Sequence, residues 1–427
     1  MIEYIDPRSI YLNGPEKPLK EKERSVLRGL AEKVAAYARD SRMKENRELW
    51  YAHNSLQRVR PVVVVFPELA WLEILPWNSM VCEDEFYRSY EWQLRRQIYR
   101  YEHFRDDWVI EPCLEVPLAA RFTPFMENAR TFIHYDMEDT GRGKDAECVL
   151  LDGDEDLGRL RKPEFIYRKD QTEINFTCIK DAIGDILDVK LYPYQVPDTS
   201  LLRQFIELRG AENILYDTIE RPEWLHSVLG FMRDATLELL DEMEKTLSAA
   251  NTGMDYVGSG GVGYLRELET GGKITYKNCW GHADAQELAA VSPAMYEEFA
   301  TAYHEPLLER FGVSCYGCCE PMTDKFGIIK RRIKNLRRVS VNPWTDRRRA
   351  AKELEDRYIY SWKPAPTVVT SGWNPDEAAK DIEYTMEAAG GCVVEMILKD
   401  TITIEHDPGR LRDWIDLAQK TAQKGYR

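Results

Sequence analysis

The stretch Arg60-Pro61-Val62-Val63-Val64-Val65-Phe66-Pro67-Glu68 decides the fold class of this sequence. Its run of β-branched residues has no polar alternation, which is typical of a strand buried on both faces in a parallel sheet. The run ends at Pro67, so the carboxylate of Glu68 follows directly after the strand. Because α/β proteins bind their ligands at the carboxyl edge of the sheet, we predict that Glu68 is a catalytic residue.

The sequence after residue 320 alternates between helix and strand patterns. Helices are predicted over 324–336, 346–354, 375–389 and 409–424, and strands over 338–341, 358–362 and 392–398. Such regular alternation predicts a parallel sheet. The candidate strands counted from residue 61 number about eight, which favours a closed (β/α)8 TIM barrel over an open doubly wound sheet. The predicted class is therefore α/β.

The barrel is predicted to span residues 59–427, preceded by a helical extension over residues 1–58. Within that extension, residues 21–39 carry apolar side chains at three- and four-residue spacing, which predicts one apolar helix face packed on the barrel. The polar, glycine-containing segment near 136–162 is typical of a loop or hairpin insertion, and no function is assigned to it.

Composition excludes some partners. The formal charge of −15 argues against nucleic acid as the main partner, because phosphate binding needs a basic surface. No apolar run reaches the roughly 18 residues of a membrane span, so no membrane partner is expected. The first residues lack a signal-peptide pattern, which predicts a cytoplasmic protein. In that compartment the nine cysteines are expected to be thiols or metal ligands rather than disulfides.

The sequence Cys315-Tyr316-Gly317-Cys318-Cys319-Glu320-Pro321 follows a short apolar segment, where a buried strand would end. Thiolates and an acid at a strand end are typical of a zinc site or of thiolate chemistry. Adjacent cysteines do not easily face the same way from an extended backbone, so at most two are expected to act together. The alternative is that these cysteines are small buried core residues.

A zinc site is predicted from Cys318 or Cys319 together with His282 and Glu395, which would leave one coordination position open for catalysis. Each member has an alternative. His282 would otherwise hydrogen-bond within a polar loop, and Glu395 would otherwise pair with a lysine or arginine inside the barrel. Asp400, in the loop after the last strand, is a competing ligand.

Further polar and aromatic residues complete the predicted site. Asp284 and Gln286 are predicted to be catalytic together with Glu68, because they follow a strand pattern in the middle of the chain. The predicted substrate-binding residues are Asn54, Trp280, Tyr316 and Trp373. The aromatic members would form the walls for an aromatic or cationic substrate, although core packing explains them equally well.

Three motifs carry a family resemblance. They are Arg209-Gly210-x-Glu212-Asn213-x-Leu215-x-Asp217 before a Pro-Glu-x-Leu-His helix, Ser292-Pro293-x-x-Tyr296-x-x-Phe299, and Asp407-Pro408-x-Arg410-Leu411. Together they resemble the uroporphyrinogen decarboxylase superfamily over most of residues 190–425. The resemblance implies a (β/α)8 barrel. It also implies one of two activities, since the superfamily contains decarboxylases and zinc-dependent methyltransferases that work with corrinoid proteins.

The methyltransferase branch is the nearer one. The decarboxylase signature Met-Arg-Gln-Ala-Gly-Arg is absent from the sequence. The methyltransferase motif His-x-Cys-Gly is replaced here by Tyr316-Gly317-Cys318-Cys319, and Glu395 or Asp400 stands near the place of the branch's last cysteine. The resemblance implies a zinc-dependent methyltransferase that moves a methyl group between a small methylated compound and a corrinoid. No Asp-x-His-x-x-Gly motif is present, so the corrinoid is expected on a separate protein.

Two other functions stay open at this point. One is a metal-free decarboxylase of a polycarboxylate or tetrapyrrole, and the other is a barrel that binds a corrinoid or tetrapyrrole without catalysis. The oligomeric state is also open, with a homodimer among the alternatives.

Overall fold

The computed structural model describes residues 7–127, 132–135, 142–145, 151, 153–192, 199–245, 257–270 and 272–424. In this part of the chain the strands are β1 (Val62–Val65), β2 (Cys113–Pro117), β3 (Ala120–Phe122), β4 (Phe132–Tyr135), β5 (Arg142–Asp145), β6 (Phe165–Tyr167), β7 (Asp188–Tyr192), β8 (Trp280–Ala283), β9 (Val313–Tyr316), β10 (Leu336–Val341), β11 (Ile359–Trp362) and β12 (Val393–Leu398).

The α-helices of the same residues are α1 (Pro7–Asn13), α2 (Glu21–Ala38), α3 (Ser41–Asn54), α4 (Trp71–Ile74), α5 (Glu85–Tyr99), α6 (Lys169–Ile183), α7 (Leu201–Arg209), α8 (Ala211–Glu220), α9 (Pro222–Glu244), α10 (Pro293–Tyr296), α11 (Ala302–Leu308), α12 (Phe326–Arg332), α13 (Arg347–Leu354), α14 (Thr367–Thr370), α15 (Pro375–Ala388) and α16 (Gly409–Lys424). None of these helices combines the length and apolarity that a membrane crossing needs.

Six parallel strands form the central sheet, in the order β1-β12-β11-β10-β9-β8. All four valines of β1 are buried, as the uninterrupted β-branched run predicts. In the register of the sheet, Val62 lies beside Glu395 and Val65 beside Leu398. Because the strands are parallel, the loops that follow them meet at one edge of the sheet.

Strands β2 and β7 form a separate parallel pair, while β3 pairs with β6 and β4 with β5 in antiparallel fashion. Among the described residues, no ladder of backbone hydrogen bonds joins the β2–β7 pair to the central sheet. The α/β class with a mostly parallel sheet is therefore confirmed. Closure into an eight-stranded barrel stays a prediction.

The outer edge of β1 is covered by two aspartates. The amide of Asp107 donates to the Val63 carbonyl at 2.9 Å, and its carboxylate accepts from the Val63 amide at 2.8 Å. The Asp106 carboxylate accepts from the Val65 amide at 3.2 Å and forms a 2.6 Å ion pair with Arg100. Side chains thus satisfy backbone groups that an uncovered sheet edge would leave unpaired.

Helices α2 and α3 pack in different places, and only α3 reaches the central sheet. The predicted apolar face of α2 contains Leu27, Ala31 and Val34, which pack in one cluster with side chains of α5 and α6. The end of α3 lies deeper. Its residues Trp50 and Asn54 are completely buried, and Trp50 packs in a cluster with β1.

The predicted insertion near 136–162 overlaps the hairpin formed by β4 and β5 and a short 3-10 turn at Asp154–Arg159. Within that range, residues 136–141, 146–150 and 152 lie outside the described residues.

Candidate functional site

The cysteine cluster lies where β9 ends at the carboxyl edge of the sheet. Gly317 has a φ of +89°, which turns the chain sharply out of the strand, and a Cβ at this position would lie 3.3 Å from the side chain of Met322. Cys318 and Cys319 follow, both half-buried, with their Sγ atoms 3.5 Å apart. Cys315 is buried within the strand. The turn therefore leaves two of the three thiols at the edge of the sheet.

The surroundings of Cys318 favour its thiolate form. A hydrogen bond from the Cys319 thiol is the main cause that lowers the pKa of Cys318 to about 5, against burial, which raises it. The Lys399 ammonium, with Nζ at 3.7 Å from Sγ, and the Ser259 hydroxyl lower this pKa further. The same hydrogen bond to Cys318 raises the pKa of Cys319. At neutral pH the pair therefore consists of one anionic sulfur and one thiol.

The backbone of Cys318 is fixed from both sides. Its amide donates to Oε2 of the fully buried Glu320 at 2.8 Å, and its carbonyl accepts from the Ser340 hydroxyl at 3.1 Å. The other carboxylate oxygen of Glu320 accepts from the Ala285 amide and the Tyr296 hydroxyl, each at 3.0 Å. Glu320 thereby joins the loop after β9 to the loop after β8, and it positions the reactive thiolate.

His282 and Asp284 lie beside this turn. Nε2 of His282 is 3.6 Å from Oδ2 of Asp284 and 3.5 Å from the Gly317 carbonyl oxygen. Asp284 is fully buried and forms a 2.5 Å ion pair with Arg203. Burial raises the pKa of Glu320 to about 7, and the charge of Asp284 adds to this shift. The site thus contains two buried carboxyl groups, and one of them, Glu320, has a raised pKa.

A glycine-rich loop at residues 257–263 packs against the same side chains. Gly258 has a φ of +64°, and a Cβ there would lie 2.7 Å from Cβ of Cys315. Gly260 has a φ of +99°, and a Cβ there would lie 2.7 Å from Ile397 and 3.5 Å from Lys399. Side chains at these positions would push the loop away, so the glycines allow its close approach to the site.

Glu395 lies in a different cluster, toward the amino end of the sheet. Its Oε1 is 2.9 Å from Nε of Arg338 and accepts a hydrogen bond from Ser361, while Oε2 is 3.1 Å from Nε2 of His53. Burial alone would raise the pKa of Glu395, but Arg338 and His53 outweigh it and lower the pKa to about 2. The alternative of an ion pair inside the sheet therefore describes Glu395, rather than a metal ligand beside Cys318.

The four predicted zinc ligands do not form one set. The described residues contain no group of three or more His, Cys, Asp or Glu side chains arranged to hold a metal ion. Cys318 and Cys319 are adjacent, but Glu395 is paired with Arg338, and the nearest polar contacts of His282 are Asp284 and a backbone carbonyl. These residues do not fit a zinc site as predicted. Zinc stays a prediction from the sequence, and no step below depends on it.

Three of the predicted substrate-binding residues lie within helices or strands and make packing or backbone contacts. Asn54 donates to the Val262 carbonyl at 2.8 Å in the interior. Trp280 is the first residue of β8, so it lies at the amino end of that strand, and its indole donates to the Gly263 carbonyl at 3.0 Å. Tyr316 is fully buried, because strand alternation turns it toward the helix layer and away from the neighbouring Cys315.

The remaining predicted residues lie nearer the loops. Glu68 is exposed in a 3-10 turn directly after β1 and has a φ of +49°. It lines a cavity of about 300 Å³ together with Phe66, Pro67, Trp71, Gln93, Arg96, Gln97, Arg100 and Trp108. Gln286 begins a 3-10 turn after β8 and is half-buried. Trp373 is half-buried and packs on the main core, and Asp400 pairs with Lys399 at 3.0 Å.

Sequence reasoning missed Lys399, Ser259 and Arg203 as members of the site. Lys399 had a usable signal, because it is the first residue after β12 and so belongs at the carboxyl edge. Ser259 belongs to a glycine-rich loop that follows a short strand pattern, so the same rule places that loop at this edge. Arg203 had no such signal, since only the folded chain brings α7 to the site.

No protein-family model matches the chain, and no curated protein matches it. Among solved structures, the fold resembles a methyltransferase from Methanosarcina mazei, with 10% sequence identity and a TM-score of 0.45. The match covers 88% of this chain and 98% of that chain. A likeness this distant carries no argument about function.

Proposed function

We propose that this chain is a methyltransferase, built on a (β/α)8 barrel, that moves a methyl group between a small methylated compound and a corrinoid on a separate protein. The observation that carries the proposal is the Cys318 thiolate at the carboxyl edge of the parallel sheet, with its pKa lowered to about 5. The superfamily resemblance of the sequence supports the same reaction class.

The chemistry follows from a soft anionic sulfur. The Cys318 thiolate attacks the methyl carbon, a carbon–sulfur bond forms, and the atom that carried the methyl group leaves with the electron pair of the broken bond. The Lys399 ammonium, 3.7 Å from Sγ, favours the anion before transfer, while Glu320 fixes the backbone from which the sulfur projects. A corrinoid, when its carrier protein is docked, supplies a centre that exchanges methyl groups.

The local electrostatics also favour a thiolate over a buried core thiol at Cys318. Cys315 and Cys392 are buried, and burial raises the pKa of each thiol. Cys318 has the opposite shift although it is also partly desolvated. Such a difference between cysteines of one chain is typical of a reactive thiol beside structural ones.

The test uses methylcobalamin as the methyl donor for the reduced full-length chain. We expect loss of the methylcobalamin absorbance and a methyl group on Cys318 in the peptide map. Cys318→Ser is expected to abolish both, because a serine hydroxyl is not ionised at neutral pH. Cys178→Ser, a half-buried thiol on α6, serves as the matched control and should react like the parent chain.

Methyl transfer at the parental rate by Cys318→Ser would overturn the proposal. Metal analysis of the same preparations addresses the zinc prediction separately: stoichiometric zinc that disappears in Cys318→Ser would support it, and absence of zinc from an active chain would exclude it.

A further inference from the structure

Cys318 and Cys319 have a second property that the proposed methyl transfer does not use. They are adjacent in sequence, both are half-buried, and their Sγ atoms are 3.5 Å apart. We propose that this pair is a reversible dithiol–disulfide site, which a small-molecule disulfide oxidises to a bond between the two neighbouring residues. The inference concerns regulation of the proposed site, but its chemistry and its readout do not require methyl transfer.

The geometry favours this pair over any other combination. The two sulfurs need to approach by only about 1.5 Å to reach the length of a disulfide bond, about 2.0 Å. Cys318 is anchored at its amide by Glu320 and at its carbonyl by Ser340, so its sulfur stays in place while the Cys319 side chain turns toward it. Cys315 is not a suitable partner for the disulfide, because its thiol is buried and contacts Arg338.

The two thiols have complementary roles in the exchange. The Cys318 thiolate, stabilised by Lys399, attacks one sulfur of the oxidant, breaks its disulfide bond and releases one thiolate. Cys319 then gives up its proton to that released thiolate, attacks the Cys318 sulfur and expels the second small-molecule sulfur as a thiolate. In total the Cys318 thiolate and the Cys319 thiol lose two electrons, and one small-molecule disulfide is reduced to one thiol and one thiolate.

The product is expected to be easily reduced. Adjacent Cα atoms are about 3.8 Å apart across a trans peptide, less than the roughly 4.4 Å lower limit of ordinary disulfides. The resulting strain makes the bond labile, as in regulatory rather than structural disulfides. Oxidation would remove the Cys318 thiolate from the site, and reduction would restore it.

The experiment incubates the reduced full-length chain with glutathione disulfide and measures the intact mass of one aliquot; a second aliquot is treated with iodoacetamide to block the remaining thiols before peptide mapping. We expect the intact mass to fall by two hydrogen atoms and both Cys318 and Cys319 to escape alkylation. Dithiothreitol should reverse the change. In Cys319→Ser the reaction should stop at a glutathione adduct on Cys318, because the resolving thiol is gone.

Two further variants locate the bond. Cys315→Ala removes the third cysteine of the same peptide and should still lose two hydrogens, as should Cys178→Ser. Loss of the effect in Cys315→Ala would overturn the proposal, since the bond would then involve Cys315. A parent chain that carries glutathione on Cys318 and an alkylated Cys319 would also overturn it. Because thiols are counted directly, failure of methyl transfer leaves this result unaffected, and failure here leaves the proposed function standing.

Discussion

Nε of Arg338 lies 2.9 Å from Oε1 of Glu395, and both side chains are buried in the central sheet. Arg338→Met would leave the carboxylate without its main counter-charge. We therefore expect a loss of about 3–5 kcal/mol in the free energy of unfolding, the usual cost of breaking a buried ion pair from one side. Urea unfolding of parent and variant measures this difference.

The chain offers a matched control for that pair. Arg348 and Glu387 are also 2.9 Å apart, but their side chains are 58% and 69% exposed. Arg348→Met should change the free energy of unfolding by less than about 1 kcal/mol, because water already solvates both charges. Equal losses in Arg338→Met and Arg348→Met would contradict the buried-pair interpretation.

The same carboxylate predicts a pH dependence of stability. The pKa of Glu395 is lowered from 4.5 to about 2 in the folded chain, so its stabilising contribution is complete above the unfolded pKa and is lost as the pH falls toward 2. Glu395→Gln should lower stability at neutral pH and flatten the acid limb of the stability curve. Denaturant titrations at several acidic pH values check the slope, and an unchanged slope in Glu395→Gln would refute the assignment.

The Cys318 thiolate predicts a pH profile of alkylation. In a Cys319→Ser background the iodoacetamide reaction isolates Cys318 within the pair, and Lys399→Met should shift its midpoint to higher pH because the nearby cation is lost. Lys399→Arg keeps the charge and serves as the control. Peptide mapping after timed alkylation gives the rate at this residue, and identical midpoints for the Met and Arg variants would exclude the role of Lys399.

The sheet was predictable from the sequence because its signals are local. The valine run of β1 and the helix–strand alternation after residue 320 depend on neighbours in the chain, so class and strand direction were both accessible. The pairing of buried charges could not be predicted from the sequence. The partners of Glu395, Arg338 and His53, lie far from it in sequence, on β10 and α3.

The candidate site residues also include some that local sequence patterns locate and some that they do not. Cys318 was singled out because it follows a strand pattern, and it lies just after β9. The substrate-binding roles of Trp280 and Tyr316 stay predictions, although both residues lie within strands. Trp280 begins β8 instead of following it, and Tyr316 points to the opposite face from Cys315. A shift of one position along a strand reverses the face of a side chain, and sequence patterns rarely fix strand ends that closely.

Gly261 allows the glycine loop to pass directly over Arg338. Its φ is +145°, and a Cβ there would lie 2.8 Å from Cζ of the guanidinium, which is held by Glu395. Gly261→Ala should therefore lower the free energy of unfolding by about 1–3 kcal/mol. Gly230→Ala is the control, because Gly230 lies within α9 and a Cβ there meets nothing within 4 Å.

That control should itself stabilise the chain by about 0.5–1 kcal/mol, the usual gain of alanine over glycine inside a helix. Thermal unfolding of both variants gives opposite signs if the two glycines have the roles described. A neutral Gly261→Ala would mean that the loop can shift without displacing Arg338.

The end of α3 packs against the interior of the sheet, which predicts that residues 59–427 do not fold without the first helices. Trp50 is fully buried against Val62 and Val64 of β1, and its indole donates to the Asp107 carbonyl at 2.8 Å. Trp50→Ala should lower the free energy of unfolding by about 3–5 kcal/mol, because it opens a cavity and leaves the buried Asp107 carbonyl without its hydrogen-bond donor. Lys44→Ala, on the exposed side of the same helix, should change stability by less than about 0.5 kcal/mol.

Removal of residues 1–58 takes away Trp50 together with His53 and Asn54, the partners of Glu395 and Arg338. The buried side chains of Glu395 and Arg338 would then each lose a hydrogen bond, and removal of Trp50 would also leave a cavity. We expect the 59–427 fragment to be unfolded or aggregated by circular dichroism and size-exclusion chromatography. A soluble fragment with a cooperative unfolding transition would show instead that the sheet closes its amino end without α3.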